Sequence, residues 1–261
     1  MCLNWLKNIF NSLTEEEQEP DEPELVEESD DYDYYEPEDG DEPVVEYPEQ
    51  KPYEGCDFHV LLDNGHASST PGKRMQLENG NYFYEYEFNR DVVRRIASKL
   101  YDLGIPFEVL VPELDTDVAL STRAARANSF CSKYGKDRCL FISVHSNAFG
   151  NGLSFTSAKG WSVWTTKGPT KSDEYATIFF EEAEKLLPKF GFTTRRDVSD
   201  GDPDYEENFT VIYKTWCPAV LTENLFFTNR EEVKWLMTSE GREAIAEIHV
   251  NAIERIIREA K

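Results

Sequence analysis

The sequence predicts an α/β fold: a single domain with a mostly parallel, twisted sheet covered by helices on both faces, preceded by a disordered acidic segment. Three observations carry this prediction. First, short apolar runs of strand length alternate with longer runs of helical period, and that alternation builds parallel sheets with a helical layer on each side. Second, the net charge of −24 is unevenly spread over the 261 residues: positions 14–54 hold 20 acidic residues against one basic residue, Lys51. That stretch also carries Pro20, Pro23, Pro37, Pro43, Pro48 and Pro52 and few aliphatics. It repels itself and cannot bury enough apolar surface to offset its ordering entropy. Third, the remainder, residues 55–261, has a net charge of only −6 and is long enough for one core.

The elements follow in order. In segment 1–13, Leu3, Leu6, Ile9, Phe10 and Leu13 fall at helical spacing beside Trp5, and Lys7 interrupts them. The run is too short and interrupted for stable membrane insertion. It also lacks the continuous apolar region and small-residue cleavage site of a secretory signal. It reads as a short amphipathic element touching a membrane surface or a partner, or equally as a frayed terminus. Segment 14–54 reads as a solvating linker. Its charge argues against nucleic acid as a partner, because phosphate binding needs clustered Lys and Arg.

Within 55–261, residues 58–63 predict a strand and 67–84 a loop, with Pro71-Gly72 and Asn79-Gly80-Asn81 as turn signals. Phe88, Val92, Val93, Ile96 and Leu100 predict a helix over 85–103, stopped at Gly104. A strand over 107–111 closes at Pro112, a helix spans roughly 118–134, and a strand spans 140–145. Residues 161–166 read as a strand, 172–190 as a helix stopped at Gly191, and 209–213 and 219–222 as strands. Helices over 229–238 and 240–260 end the chain.

The five cysteines (Cys2, Cys56, Cys131, Cys139, Cys217) are odd in number and lack paired short spacing, so neither a disulfide framework nor a cysteine zinc site is expected. Of the four histidines, His59 and His249 sit inside a strand and a helix pattern and read as packing residues. His66 and His145 differ: each ends an apolar run and is followed by small residues. Glu223 ends the run Ala219-Val220-Leu221-Thr222, and Glu85 opens a helix. In an open α/β sheet, strand C-termini and helix N-termini converge on the crevice where ligands bind. Two His and one Glu there form a catalytic zinc set with one position open to water, and a further carboxylate serves as base. The chain reads as a zinc hydrolase.

Four motifs then occur in a telling order: Asp63-Asn64-Gly65-His66, Glu85 at a helix start, Ser143-Val144-His145-Ser146-Asn147-Ala148, and Pro218-Ala219-Val220-Leu221-Thr222-Glu223. Together they resemble the type-3 family of zinc-dependent N-acetylmuramoyl-L-alanine amidases over about residues 57–258. Arg123, Ala127-Asn128, Phe226 and Asn229 add to the likeness. The resemblance implies a phosphorylase/hydrolase-like sheet, with Zn²⁺ on His66, Glu85 and His145 and Glu223 as general base and acid. Glu87 is the alternative third ligand, but the family's ligand stands four residues before an Asn-like helical position, here Asn89, which selects Glu85. The implied reaction is hydrolysis of the peptidoglycan amide bond between N-acetylmuramic acid and L-alanine by a zinc-activated water. Where the family usually has a glycine-rich turn after the first His, this chain has Ala67-Ser68-Ser69-Thr70.

Around this set, Asn147 either bonds substrate or turns the chain. Trp161, Trp164 and Trp216 are more core than glycan platforms, and Arg195 and Arg196 either face substrate carboxylates or balance the acidic loop after them. Two other readings compete with the amidase. A zinc carboxypeptidase-like peptidase would need an arginine for a C-terminal carboxylate and a different ligand spacing. A non-catalytic wall-binding module would have no reason to keep all four site residues. The expected enzyme is a monomer with peptidoglycan as its partner. It is made in the cytoplasm without an evident signal peptide and acts on the cell wall, as in phage-type lysis or after export by an unrecognised route.

Overall fold

In the computed structural model, described residues are Tyr47, 56–150, Gly152 and 154–259. Segments 1–13 and 14–54, apart from Tyr47, lie outside them. The chain runs β1 (His59–Asn64), β2 (Arg74–Gln76), β3 (Tyr82–Tyr84), α1 (Glu85–Leu103), β4 (Phe107–Val109) and α2 (Leu120–Tyr134). It continues through β5 (Cys139–Asn147), β6 (Ser162–Thr165), α3 (Lys171–Leu186), β7 (Tyr205–Glu206), α4 (Thr210–Tyr213) and β8 (Ala219–Phe226), and ends in α5 (Arg230–Leu236) and α6 (Ser239–Glu259).

Six strands form one sheet in the order β4-β1-β5-β8-β6-β7. Strands β4, β1, β5 and β8 are mutually parallel, β6 runs antiparallel to β8, and β7 is parallel to β6. The near-continuous apolar runs of the central strands follow from burial on both faces. Val60, Leu62, Leu140, Ile142, Val144 and Val220 pack with α1, α3 and α6. Their alternating neighbours Leu61, Phe141, Ala219 and Leu221 pack with Ala127 and Cys131 of α2 and Val211 and Ile212 of α4.

Helix α1 matches its predicted span because its apolar stripe is wholly buried. It stops at Gly104, whose φ of 69° is the left-handed conformation glycine adopts without a Cβ penalty. Helix α3 opens on a capping box made by Thr170 and Asp173.

Three expectations fail locally. Residues 209–213 are not a strand, because Thr210–Tyr213 is the short helix α4, which buries Val211 and Ile212 and leaves Tyr213 exposed. An apolar run this short carries no readable period. The 67–84 loop contains the antiparallel hairpin β2–β3. Strand β7, two residues long, was not foreseen. The described residues between β5 and β6 form no helix, and β6 runs antiparallel to β8, which lies between them, whereas a parallel return needs a long crossover. Among the described residues, no helix is long and apolar enough to cross a membrane. Tyr47 packs against the main core, and its hydroxyl accepts a hydrogen bond from Asn64 Nδ2 at 3.2 Å.

Candidate active site

Strand β1 delivers its last residues to the C-terminal edge of the sheet. Gly65 follows, with its N–H on the Val144 carbonyl at 3.2 Å. A Cβ at Gly65 would stand 2.0 Å from His145 Cε1, so only glycine lets that imidazole lie against the chain. His66 then adopts φ 64°, an uncommon conformation for a residue with a Cβ, of the kind that clusters at functional sites. Helix α1 holds this turn in place. Asn89 Nδ2 donates to the Gly65 carbonyl at 3.0 Å, and Arg90 donates to the carbonyls of His66 and Glu113, each at 2.8 Å.

Glu85, the first residue of α1, is buried, whereas Glu87 is exposed and accepts a hydrogen bond from the Tyr86 hydroxyl. Glu85 Oε1 lies 3.5 Å from His66 Nε2 and 3.1 Å from His145 Nδ1, and it accepts the Ser146 N–H at 3.1 Å. One ligand-capable atom from each of His66, Glu85 and His145 lies within 4.8 Å of the others. The two imidazoles meet edge to face with centroids 4.8 Å apart. Glu87 is outside this cluster.

Glu223 comes from the neighbouring strand. It pairs in register with His145 across the parallel β5–β8 ladder, and paired residues project to the same face about 4.8 Å apart. Just beyond, the β5–β8 register shifts between His145 and Asn147, and Leu225 takes φ 65°. Such irregularities re-aim side chains and are common beside active sites. Asn224 fixes this one: its Nδ2 donates to the His145 carbonyl at 2.8 Å, and its Oδ1 accepts from Trp161 Nε1 at 2.7 Å.

Burial pushes the His66 imidazole below its ordinary pKa, favouring the neutral ring that ligates metals. Burial also raises Glu85, but the adjoining His66 and His145 outweigh it and hold the carboxyl well below the usual range. Glu85 Oε2 is buried, and among the described residues it has no hydrogen-bond partner. Two nitrogens and an ionised carboxylate, closely grouped and short of donors, fit a divalent cation.

Beneath the cluster runs a buried polar chain. His145 Nε2 lies 3.1 Å from Ser143 Oγ, Ser143 Oγ donates to Asp63 Oδ2 at 2.6 Å, and Arg123 Nη1 donates to Asp63 Oδ1 at 3.0 Å.

Residues 60–255 match the protein-family model described as N-acetylmuramoyl-L-alanine amidase. The chain belongs to this family. Among its relatives is the endolysin of Bacillus phage SPP1, 26% identical over 201 residues, covering 76% of this chain and 65% of the phage protein. Another is the N-acetylmuramoyl-L-alanine amidase CwlM of Bacillus licheniformis, 27% identical over 203 residues, covering 77% of this chain and 70% of that one. The crystal structure of an N-acetylmuramoyl-L-alanine amidase from Clostridium difficile 630 superposes with a TM-score of 0.64 at 26% identity, covering 77% of this chain and 97% of that one. The family's domain thus coincides with the sheet and helices described above.

Other sequence candidates of this amidase-family chain take structural places. His59 stacks on Tyr134, with ring centroids 3.5 Å apart. His249 is buried, with Nδ1 on the Ile245 carbonyl at 2.8 Å and Nε2 2.9 Å from Thr222 Oγ1. Trp161 and Trp164 are core, while Trp216 is exposed. Arg195 stacks over Tyr205 and Phe226, and Arg196 pairs with Glu184. Cys56, Cys131, Cys139 and Cys217 are free thiols. The sequence offered no pattern for the supporting contacts of Arg90 and Asn224, and Asn89 served there only as the register marker for Glu85. Arg123 and Ser143 stood in recognisable motifs, but their task was not visible there.

Proposed function

We propose that this chain is a zinc-dependent amidase that hydrolyses the bond between N-acetylmuramic acid and L-alanine in peptidoglycan. His66, Glu85 and His145 hold the metal, and Glu223 acts as general base and acid. The carrying observation is the convergence of His66 Nε2, Glu85 Oε1 and His145 Nδ1, with Glu223 paired beside His145. Two imidazoles and a carboxylate suit zinc and leave a coordination position open. Bound there, zinc supplies Lewis acidity at the amide carbonyl and at water.

The chain's own residues do the rest. Glu223, half-buried at the edge of the site, takes the proton of the attacking water. It then returns that proton to the departing L-alanine nitrogen. Neighbouring Glu85 is committed to the cluster and to the Ser146 N–H, so the two carboxylates keep separate tasks. Gly65 and the left-handed His66 set the angle at which the imidazoles face each other. The enzyme acts as a monomer on the cell wall, in phage-type lysis or in bacterial wall turnover.

The test is digestion of purified peptidoglycan with the zinc-loaded protein. A newly exposed L-alanine amine is expected. A new reducing sugar end, or a free amine elsewhere in the peptide, rules the amidase reading out.

A further inference from the structure

We propose that Ser143, oriented by Asp63 and Arg123, is a positioning residue that keeps the proton of His145 on Nε2 and so presents Nδ1 to the metal. This rests on the metal reading above and extends it to a residue outside the ligand set.

The inference follows from counting hydrogens along the buried chain. Arg123 is 1% exposed and spends its donors on protein: Nε on the Val118 carbonyl at 2.6 Å, Nη2 on Asp117 at 3.1 Å, and Nη1 on Asp63 at 3.0 Å and the Asn64 carbonyl at 3.3 Å. A guanidinium stays protonated in proteins, and a carboxylate paired with it only accepts hydrogen bonds. Asp63 Oδ2 therefore takes the single hydroxyl hydrogen of Ser143 at 2.6 Å. With that hydrogen spent, Ser143 Oγ can only accept from His145 Nε2, 3.1 Å away. The neutral ring then carries its hydrogen on Nε2 and its lone pair on Nδ1. Nδ1 is the nitrogen that lies 3.1 Å from Glu85 Oε1.

Sheet geometry makes the relay rigid. Asp63 and Ser143 are registered partners on β1 and β5. Ser143 and His145 stand two residues apart on one strand, so both project to the same face. The other end of the chain is fixed by α2, which carries Arg123. Metal-ligating histidines generally need such an outer partner to set tautomer and ring orientation, and its loss typically costs about 10- to 100-fold in metal affinity.

The experiment measures zinc affinity of the full chain by chelator competition. Ser143→Ala should bind about 10- to 100-fold more weakly, while Ser143→Thr, which keeps a hydroxyl, should stay near wild type. Thermal unfolding of both metal-free variants separates this effect from misfolding. Independently of any variant, nitrogen-15 NMR of the zinc-loaded wild type should find His145 metallated at Nδ1 and protonated at Nε2. Metallation at Nε2, or wild-type affinity in Ser143→Ala, overturns the inference while leaving the metal site standing. A wild-type protein that takes up no zinc overturns the metal reading, and this inference with it.

Discussion

The parallel half of the sheet and its antiparallel edge are built from similar strands, yet they carry different burdens. Strands β1, β5 and β8 run the same way, so their C-terminal ends meet along one rim and place His66, His145 and Glu223 together. Helix α1 begins at that rim and adds Glu85. Strands β6 and β7 run the opposite way and contribute none of the four. Their side of the molecule braces the rim from behind: Trp161 holds Asn224, and Glu232 accepts the N–H groups of Gly160 at 2.8 Å and Phe226 at 2.7 Å. Strand direction thus separates the candidate site from its support, as expected where ligands bind beyond the carboxyl ends of parallel strands.

Substitutions on the parallel half should have the largest effects. His66→Ala and His145→Ala should each abolish stoichiometric zinc uptake and, with it, activity. Metal analysis of the purified variants decides this, and full zinc retention in both would remove the assignment. Glu85→Gln should lose the metal while Glu87→Gln keeps it, since only Glu85 lies in the cluster.

Next comes Glu223→Gln, which should keep zinc and fold but lose about 10²- to 10⁴-fold in turnover, the usual contribution of a positioned acid–base group. Near-normal hydrolysis by the zinc-loaded variant would contradict the role given to Glu223.

The two halves should also respond oppositely to pH. His249 lies under β8, and burial pushes its pKa down to about 4. Its unfolded value is about 6.5, so the fold favours the neutral ring. That contribution is complete above about pH 6.5 and is lost as pH falls towards 4, which amounts to roughly 3 kcal/mol. On the antiparallel edge, burial and the neighbouring Asp202 push Asp204 up to about 8. The folded state there prefers the protonated acid, so that contribution is present below about pH 4 and is lost as pH rises through 8. Thermal unfolding across pH should show His249→Gln removing a rise in stability between about pH 4 and 6.5, and Asp204→Asn removing a fall between about pH 4 and 8. An exchange of these two outcomes would break the contrast.

The smallest effect on the site is expected from Trp161→Phe. It leaves Asn224 Oδ1 without its indole donor and should cost roughly 1–3 kcal/mol of stability. Zinc stoichiometry should not change. Loss of zinc in this variant would mean that the edge shares in the chemistry.

The same division governs what was legible in the sequence. The parallel half was readable because long apolar strands and a 19-residue amphipathic helix repeat their period often enough to be seen. The edge was not: α4 has four residues and β7 two, too few for any period to emerge. Within the site, each candidate ligand or base stands at the end or start of a readable element, and family register chose Glu85 over Glu87. The supporting contacts were hidden because they join separate elements, from 24 positions apart for Asn89 and Gly65 to 80 for Ser143 and Asp63. Their partners are set by strand order, which local pattern does not encode. Tyr47 was hidden for another reason: its acidic, proline-rich surroundings mask a single aromatic that packs on the core.

The parallel ladder also dictates when the site comes into being during folding. Residues paired across β1 and β5 are separated by about 80 positions, and those across β5 and β8 by a similar span. Loops of that length must close before any such pairing is rewarded, so this topology folds slowly relative to locally wired proteins. His145 cannot join His66 and Glu85 until β5 has paired with β1. A cation that binds only the native arrangement then acts as a latch on the finished sheet, shifting the folding equilibrium by mass action. On the metal reading proposed above, uptake would therefore time the closing of the β1–β5 ladder, and a nascent chain still lacking β5 would not start it.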